Sequence, residues 1–240
     1  MKIRQLHRWD VPPVEAIRIQ RALARRANLR EARRSLRTAA GVDVSYETRS
    51  STLYAAVVVM HLDTHEILET ATAVHEVAFP YIPGLLSFRE APAALTAFAR
   101  LRREPDCVLC DGQGIAHPRR FGLACHLGLV LALPTIGCAK SRLVGESRNP
   151  GRRRGSFQIL YDKGEKIGMV LRTKDGVGPV YVSPGYRVSL RQARVIVLRA
   201  YGGYRIPEPI RRAHLLVNAL RRDGQGGVLP GTARRMNVET

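Results

Sequence analysis

Gly41-Val-Asp-Val-Ser-Tyr46, Leu53-Tyr-Ala-Ala-Val-Val-Val-Met-His-Leu62 and Ile67-Leu-Glu-Thr-Ala-Thr-Ala-Val-His-Glu-Val77 follow one another in the chain, and their reading decides the fold. All three are rich in Val, Ile, Thr, Tyr and Ala, with few breakers. Side chains of that kind suit a pleated, half-buried surface. Short polar links containing Ser, Thr and Asp separate the runs, as in an antiparallel meander.

Downstream the pattern changes. A loop, Phe79-Pro-Tyr-Ile-Pro-Gly84, precedes a helix expected over Ser87–Arg103, where Ser87 and Glu90 have capping-box spacing. Cys107–Cys110 is wholly apolar, as a parallel strand buried on both faces should be. A helix over Phe121–Ala132 and a strand over Thr135–Ala139 follow. Upstream, Pro12–Ser35 is expected to be helical and to pack on the outside of the domain, because its apolar stripe is weak. Residues 145–205 carry Gly- and Arg-rich links with two or three strands, and a last helix is expected over Glu208–Arg222. Three antiparallel strands, then helix, strand, helix, strand, is the order of an α/β ribonuclease-H-like domain. Its mixed sheet is flanked by helices on both faces. The expected organisation is one domain over residues 1–222 and a disordered tail over 223–240, with four glycines and little apolar content.

Composition narrows the partner. Among 240 residues, Lys and Arg number 39 against 20 acids, a formal charge of +19. Such an excess predicts a polyanionic partner. A bilayer does not fit: the longest apolar stretch, Leu123–Leu133, is interrupted by His126 and falls far short of the roughly 20 residues a spanning helix needs. Lys2, Arg4 and Arg8 are not followed by an apolar segment, so no secretory signal is visible and a cytoplasmic protein is expected. Nothing suggests an obligate dimer, so a monomer is expected. Cys107 and Cys110 have the spacing of a zinc or redox pair. Within one strand, however, an odd offset sends the two thiols to opposite faces, so buried reduced cysteines are expected.

Three carboxylates stand out by placement. Asp43 sits between Val42 and Val44, Glu90 lies in the first turn of a helix, and Asp111 directly follows a buried strand. An Asp between two valines is costly unless paired or metal-bound. Taken singly, each has a plain reading: an acid paired with arginine, a helix cap, a loop starter. Taken together in this fold order, they suit a Mg²⁺ site, since Mg²⁺ prefers oxygen ligands. A divalent cation would also reconcile clustered acids with a polyanionic ligand.

Several blocks resemble the endonuclease V family of deoxyinosine-directed repair nucleases. They are Gly41–Tyr46, Phe79–Glu90 (FPYIPGLLSFRE), Asp111–Gly128 (DGQGIAHPRRFGLACHLG), Pro134–Lys140 (PTIGCAK), Val182–Val188 (VSPGYRV) and Arg205–Arg211 (RIPEPIR). The match is collinear over roughly residues 10–220, and the block ending at Glu90 is highly specific. The resemblance implies Mg²⁺ or Mn²⁺ dependence and hydrolysis of the second phosphodiester 3′ to the lesion, leaving 3′-hydroxyl and 5′-phosphate ends. It also implies Asp43 and Asp111 as principal metal ligands, with Glu90 holding metal or its water. His214 matches a fourth active-site position that can bind a second ion or steer water, and otherwise reads as a surface helix residue beside Arg211 and Arg212. Lys140, at a strand end, would stabilise charge developing on the scissile phosphate. Its plain reading is a solvated lysine. A non-catalytic binding relative, an inosine-specific endoribonuclease and a ribonuclease-H-type nuclease of other specificity are the competing readings.

Selectivity needs a separate device, because a base hidden in a duplex must be exposed before it is read. By the resemblance, Pro80, Tyr81, Ile82 and Pro83 form a strand-separating wedge; from the residues alone they are a rigid turn with Tyr81 packed inward. The flipped base is expected near Gly84, Leu85, Leu86, Gly112 and Gly114, where glycine permits close backbone approach. His117 either lines that pocket or is a satisfied structural histidine. His126 is expected in a helix core. The basic loop Arg148–Arg154 can follow a phosphate backbone or be solvated surface. With about 6–10 phosphate contacts, affinity for nucleic acid should fall roughly 10³–10⁵-fold between about 50 and 200 mM salt. A titration by fluorescence anisotropy checks this, and a salt-independent affinity would rule out the phosphate contacts.

Overall fold

The computed structural model describes residues 1–31, 35–46 and 51–225. Its first three strands, β1 (Thr38–Tyr46), β2 (Thr52–His61) and β3 (Ile67–Glu76), form the expected antiparallel meander. Next come α2 (Leu86–Ala99), β4 (Cys107–Cys110), α3 (Leu123–Leu131) and β5 (Thr135–Ala139). α1 (Pro13–Ala24) precedes the sheet in the chain. Three further strands follow, β6 (Phe157–Asp162), β7 (Glu165–Leu171) and β8 (Val180–Tyr186), then α4 (Leu190–Arg199) and α5 (Glu208–Gln225). The strands make one eight-stranded mixed sheet in the order β3-β2-β1-β4-β5-β8-β7-β6. β4 runs parallel to both β1 and β5, and the remaining pairings are antiparallel.

Both faces of the sheet are covered. α2 and α3 pack on Ala40, Val42, Val57, Val59, Val108 and Cys110, while α4 and the start of α5 pack on Ala39, Leu109, Cys107, Ile136 and Cys138. The two thiols of the C-x-x-C spacing therefore lie on opposite faces, and all four cysteines are buried thiols outside any disulfide. No helix among the described residues is long and apolar enough to cross a membrane.

The structure corrects several expectations. α1 stops at Ala24, with Arg25 as its C-cap, instead of running to residue 35, and beyond that end Asn28 is held in a non-helical arrangement. The Asn28 side-chain oxygen accepts from the Arg30 N–H at 2.9 Å, and its carbonyl accepts from Arg187 N–H at 2.6 Å. Asn commonly diverts a helix in this way, by offering the backbone a local partner. Residues 32–34 of the expected helix lie outside the described residues. The capping box is not formed: Leu85 is the N-cap and no side chain caps the helix. Ser87 Oγ pairs with His126 Nδ1 at 3.0 Å, which leaves Glu90 free of the backbone. The sequence reading missed α4, taking its β-branched run Val195-Ile-Val197 as part of a strand-and-link region. Its start was nevertheless encoded, since the Ser189 Oγ accepts from the Gln192 N–H at 3.1 Å. The last helix continues to Gln225, through the first residues of the expected tail; residues 226–240 lie outside the described residues.

α5 crosses β1 so closely that only glycine fits. A Cβ on Gly41 would lie 2.0 Å from the Pro209 carbonyl carbon and oxygen. From that contact the two elements stay in step. Two residues along a strand rise about 6.8 Å, and four along a helix about 6.0 Å. Thus Gly41 meets Pro209 and Ile210, Asp43 meets His214, and Ser45 meets Asn218. Gly41→Ala must push the backbone of α5 away, which should cost about 1–3 kcal/mol and several degrees of melting temperature. Thermal unfolding checks this, and an unchanged melt would show that the contact is not tight.

Candidate active site

The parallel register of β1 and β4 brings the first two carboxylates together. Val42 lies opposite Cys110, so the next residue of each strand, Asp43 and Asp111, projects from the same end of the pair. The Asp111 N–H points at Val42 O, 3.5 Å away. Glu90 comes from the start of α2, whose direction is set by its neighbour: Arg89 donates to Phe79 O at 2.7 Å and its guanidinium lies 5.0 Å from the centre of the Tyr46 ring. Glu90 is 8% exposed and, among the described residues, has no hydrogen-bonding or ionic partner.

Two of the three acids, Glu90 and Asp43, are held above the ordinary carboxyl range, first by burial. Burial, and then the charges of Asp43 and Asp111, push the Glu90 carboxyl up to about 8. Burial also raises Asp43, with Asp111 adding to it, against the opposing pull of His214 and Lys140. Side chains from other elements answer the other two acids: Lys140 Nζ sits 2.6 Å from Asp111 Oδ2, and His214 Nδ1 is 2.7 Å from Asp43 Oδ2. Arg205 holds the strand end from behind, donating to the Lys140 carbonyl at 2.6 Å. The sequence-predicted set Asp43, Glu90, Asp111, Lys140 and His214 therefore shares one locality.

The donor chemistry suits a hard cation. Among the described residues no three His, Cys, Asp or Glu side chains form a ready-made metal cage. Mg²⁺ does not need one, since it binds through one or two carboxylates, keeps several waters and takes substrate phosphate oxygens. Asp43 and Asp111 are the residues that could supply such carboxylates, with the unpartnered Glu90 near them.

Beside the acids, the loop before α2 is built as a rigid projection. Tyr81 is 60% exposed, so it is not packed inward. Pro80 and Pro83 are exposed with it, while Ile82 packs on the cluster of Ala16, Phe79, Leu85 and Phe88. Leu85 is thus a core residue, and Leu86 is half-buried. The Gly84 carbonyl accepts three side-chain donors: Gln20 Nε2 at 3.0 Å, His117 Nε2 at 3.0 Å and Arg119 Nη2 at 2.6 Å. Arg119 N–H donates to His117 Nδ1 at 3.1 Å, so both ring nitrogens are engaged, and burial pushes the imidazole down to about 4. Of the two readings of His117, the satisfied one is realised.

The two glycines after Asp111 differ. Gly114 is buried, its N–H is taken by Ser183 Oγ at 2.8 Å, and a Cβ there would meet Pro184 O at 2.1 Å. Gly112 has φ 156°, with Leu123 the nearest neighbour to an added Cβ, at 3.7 Å. A side chain at Gly112 would make only ordinary contact with Leu123, whereas at Gly114 it would collide with backbone. Sequence reasoning missed Gln20, Arg119, Asn218 and Ser45. Arg119 had a signal, its place in the block beginning at Asp111; Gln20 had none beyond being polar within a helix. Arg152, Arg153 and Arg154 are exposed, and the Arg154 guanidinium rests 4.5 Å from the centre of the Tyr201 ring.

Acids gathered from the middle of β1, the end of β4 and the start of α2, with Lys140 and His214 beside them, define on this mixed sheet a ribonuclease-H-like nuclease domain. The endonuclease V family model matches residues 21–215. An endonuclease V of Methanothrix thermoacetophila is 50% identical over 216 residues, 90% of this chain and 95% of that protein. The crystal structure of endonuclease V from Streptomyces avermitilis is 41% identical with a TM-score of 0.87, covering 94% of this chain and 100% of that one. An endonuclease V of Ciona intestinalis, in complex with a 24mer DNA containing an inosine followed by a ribo-adenosine, is 25% identical with a TM-score of 0.77, covering 88% of this chain and 97% of that one. The chain belongs to the endonuclease V family.

The raised Glu90 carboxyl makes stability depend on pH when no cation is bound. The folded state keeps this proton up to about 8, whereas the unfolded chain releases it near 4.5. Between those values the folded state binds more protons, so stability falls as pH rises, by on the order of a few kcal/mol. With chelator present, wild-type protein should therefore lose stability from about pH 5 to about pH 8 by this route, and Glu90→Gln should lose much less. Denaturant unfolding at both pH values measures the difference; equal losses would mean that Glu90 is not held protonated.

Proposed function

We propose that this protein is a Mg²⁺-dependent endonuclease, with Mn²⁺ able to substitute, that recognises inosine or deoxyinosine and hydrolyses the second phosphodiester bond 3′ to it. The products are 3′-hydroxyl and 5′-phosphate ends, and the role is repair of deaminated adenine. It acts as a cytoplasmic monomer. One observation carries the reading: three carboxylates from separate segments face one another in a +19 protein, and Glu90 among them is buried without a partner. Like charges so placed are unfavourable for folding and gain a purpose when a cation and a phosphate come between them. The Ciona relative, bound to inosine-containing DNA, supports the choice of ligand.

Asp43 and Asp111 hold the ion, with Glu90 orienting its water. When bound, such an ion polarises a phosphoryl oxygen and lowers the pKa of water. Lys140, already 2.6 Å from Asp111, supplies a fixed positive charge for the phosphate as negative charge builds in the transition state. Tyr81, exposed between Pro80 and Pro83, fills the place of the displaced base, and the two prolines limit how far it can yield. The base itself enters beside Gly84, Leu86 and Gly112, where backbone groups can match the carbonyl acceptor and N1–H donor of hypoxanthine. Leu85, His117 and Gly114 support that pocket from behind.

Matched inosine-containing and undamaged oligonucleotides, in DNA and RNA, test the proposal with Mg²⁺ present. Wild type should nick only the inosine strands, and Asp43→Ala should bind them with little change while cutting at least about 10³-fold more slowly, as expected for loss of a metal ligand. Equal cutting of undamaged strands would remove the lesion specificity. Cutting retained by Asp43→Ala would remove Asp43 from the reaction.

A further inference from the structure

Four side chains in the β1–α5 contact form a chain of hydrogen bonds with a single direction. Ser45 Oγ lies 3.2 Å from Asn218 Oδ1, Asn218 Nδ2 lies 3.0 Å from His214 Nε2, and His214 Nδ1 lies 2.7 Å from Asp43 Oδ2. The carboxylate end fixes the order. An ionised carboxylate only accepts, so Nδ1 must carry a proton, and a neutral imidazole then has its lone pair on Nε2. That lone pair requires a donor, which only the amide nitrogen of Asn218 can be. The amide oxygen is thereby turned to Ser45, whose hydroxyl donates. Every donor meets an acceptor, and turning the amide over would set its oxygen against the imidazole lone pair.

The arrangement follows from the backbone. Asp43 and Ser45 are two apart on β1, and His214 and Asn218 are four apart on α5, so the same crossing aligns both pairs. Asp43 Oδ1, the other carboxylate oxygen, has no partner among the described residues. His214 thus gives both nitrogens to this chain and none to an ion.

We propose that Asn218 and Ser45 are positioning residues, which hold His214 as its Nδ1–H tautomer and through it fix Asp43 so that Oδ1 is presented to the divalent cation. The inference rests on Asp43 being a ligand of the active site. Partners behind metal-ligating groups commonly set their orientation, and losing one typically costs about 10–100-fold in metal affinity or activity. Asn218 is half-buried on the face of α5, away from the core positions Ala213 and Val217, so changing it leaves the packing of the helix intact.

The experiment reads the His214 ring nitrogens directly, by ¹⁵N–¹H NMR of the full chain at alkaline pH. Wild type should show the Nδ1–H tautomer. Asn218→Leu, which keeps the size but removes the amide, should show a mixture containing Nε2–H. Calorimetric Mg²⁺ titration of the same samples should give affinity weaker by about 10–100-fold for Asn218→Leu and by a smaller factor for Ser45→Ala. An Nε2–H tautomer in wild type, or a tautomer unchanged in Asn218→Leu, overturns the proposal. So does unaltered Mg²⁺ affinity in both variants. Because neither readout requires cleavage, a protein that fails to cut inosine strands would contradict the proposed function while leaving this inference to stand or fall separately.

Discussion

Mutual repulsion among Asp43, Glu90 and Asp111 is the constraint around which this end of the molecule is arranged. Carboxylates brought together out of water favour the neutral form, and Glu90, with no partner, shows it most strongly. The other two have partners delivered from elements far away in the chain, an ammonium from Lys140 at the end of β5 and an imidazole hydrogen bond from His214 on α5. The sheet is what makes this possible. β1, β4 and β5 are adjacent, so Asp43, just past the last β1–β4 pair, and Asp111 and Lys140, just past the ends of β4 and β5, lie side by side, and α5 lies over β1 with His214 in reach.

Much of this was legible in the sequence because it followed from local pattern. The meander, the four-residue buried strand and the strand before Lys140 were marked by apolar runs and turn residues. The positions of the three acids, Asp43 within a strand, Glu90 near the start of a helix and Asp111 after a strand, followed from those assignments. The family resemblance added the roles of Lys140 and His214, which spacing alone did not supply. What stayed hidden depended on tertiary partners. Ser87 and Glu90 had the spacing of a cap, but Ser87 is drawn to the buried His126 and Glu90 to the acidic site. The α4 segment has β-branched residues that favour a strand locally, and burial against Ile136 and Val182 decides otherwise. Asn218 and Ser45 carry no motif; their significance exists only once α5 has been laid along β1.

The histidines show the same division between pattern and partner. His126 was expected in a helix core and is fully buried, yet its ring contacts His7 from the N-terminal segment at 2.7 Å. That contact, with the rings of Trp9 and Phe88 around it, ties the first residues of the chain to the start of α2. The segment before α1 therefore belongs to the scaffold under Glu90. His117 is likewise explained by what it touches: its two nitrogens are used in fixing the backbone at Gly84.

That fixation has a mechanical side. In the wedge role proposed above, a tip that parts two paired strands would itself be pushed back, and a loop standing alone would fold away under the load. At Gly84 the backbone is moored to α1 through Gln20 and to the segment before α3 through His117 and Arg119, two anchorages distant in sequence. Force arriving at the Tyr81 ring in that role would be shared between two separate parts of the molecule, so the stiffness of the tip is a property of the whole framework and not of its two prolines alone.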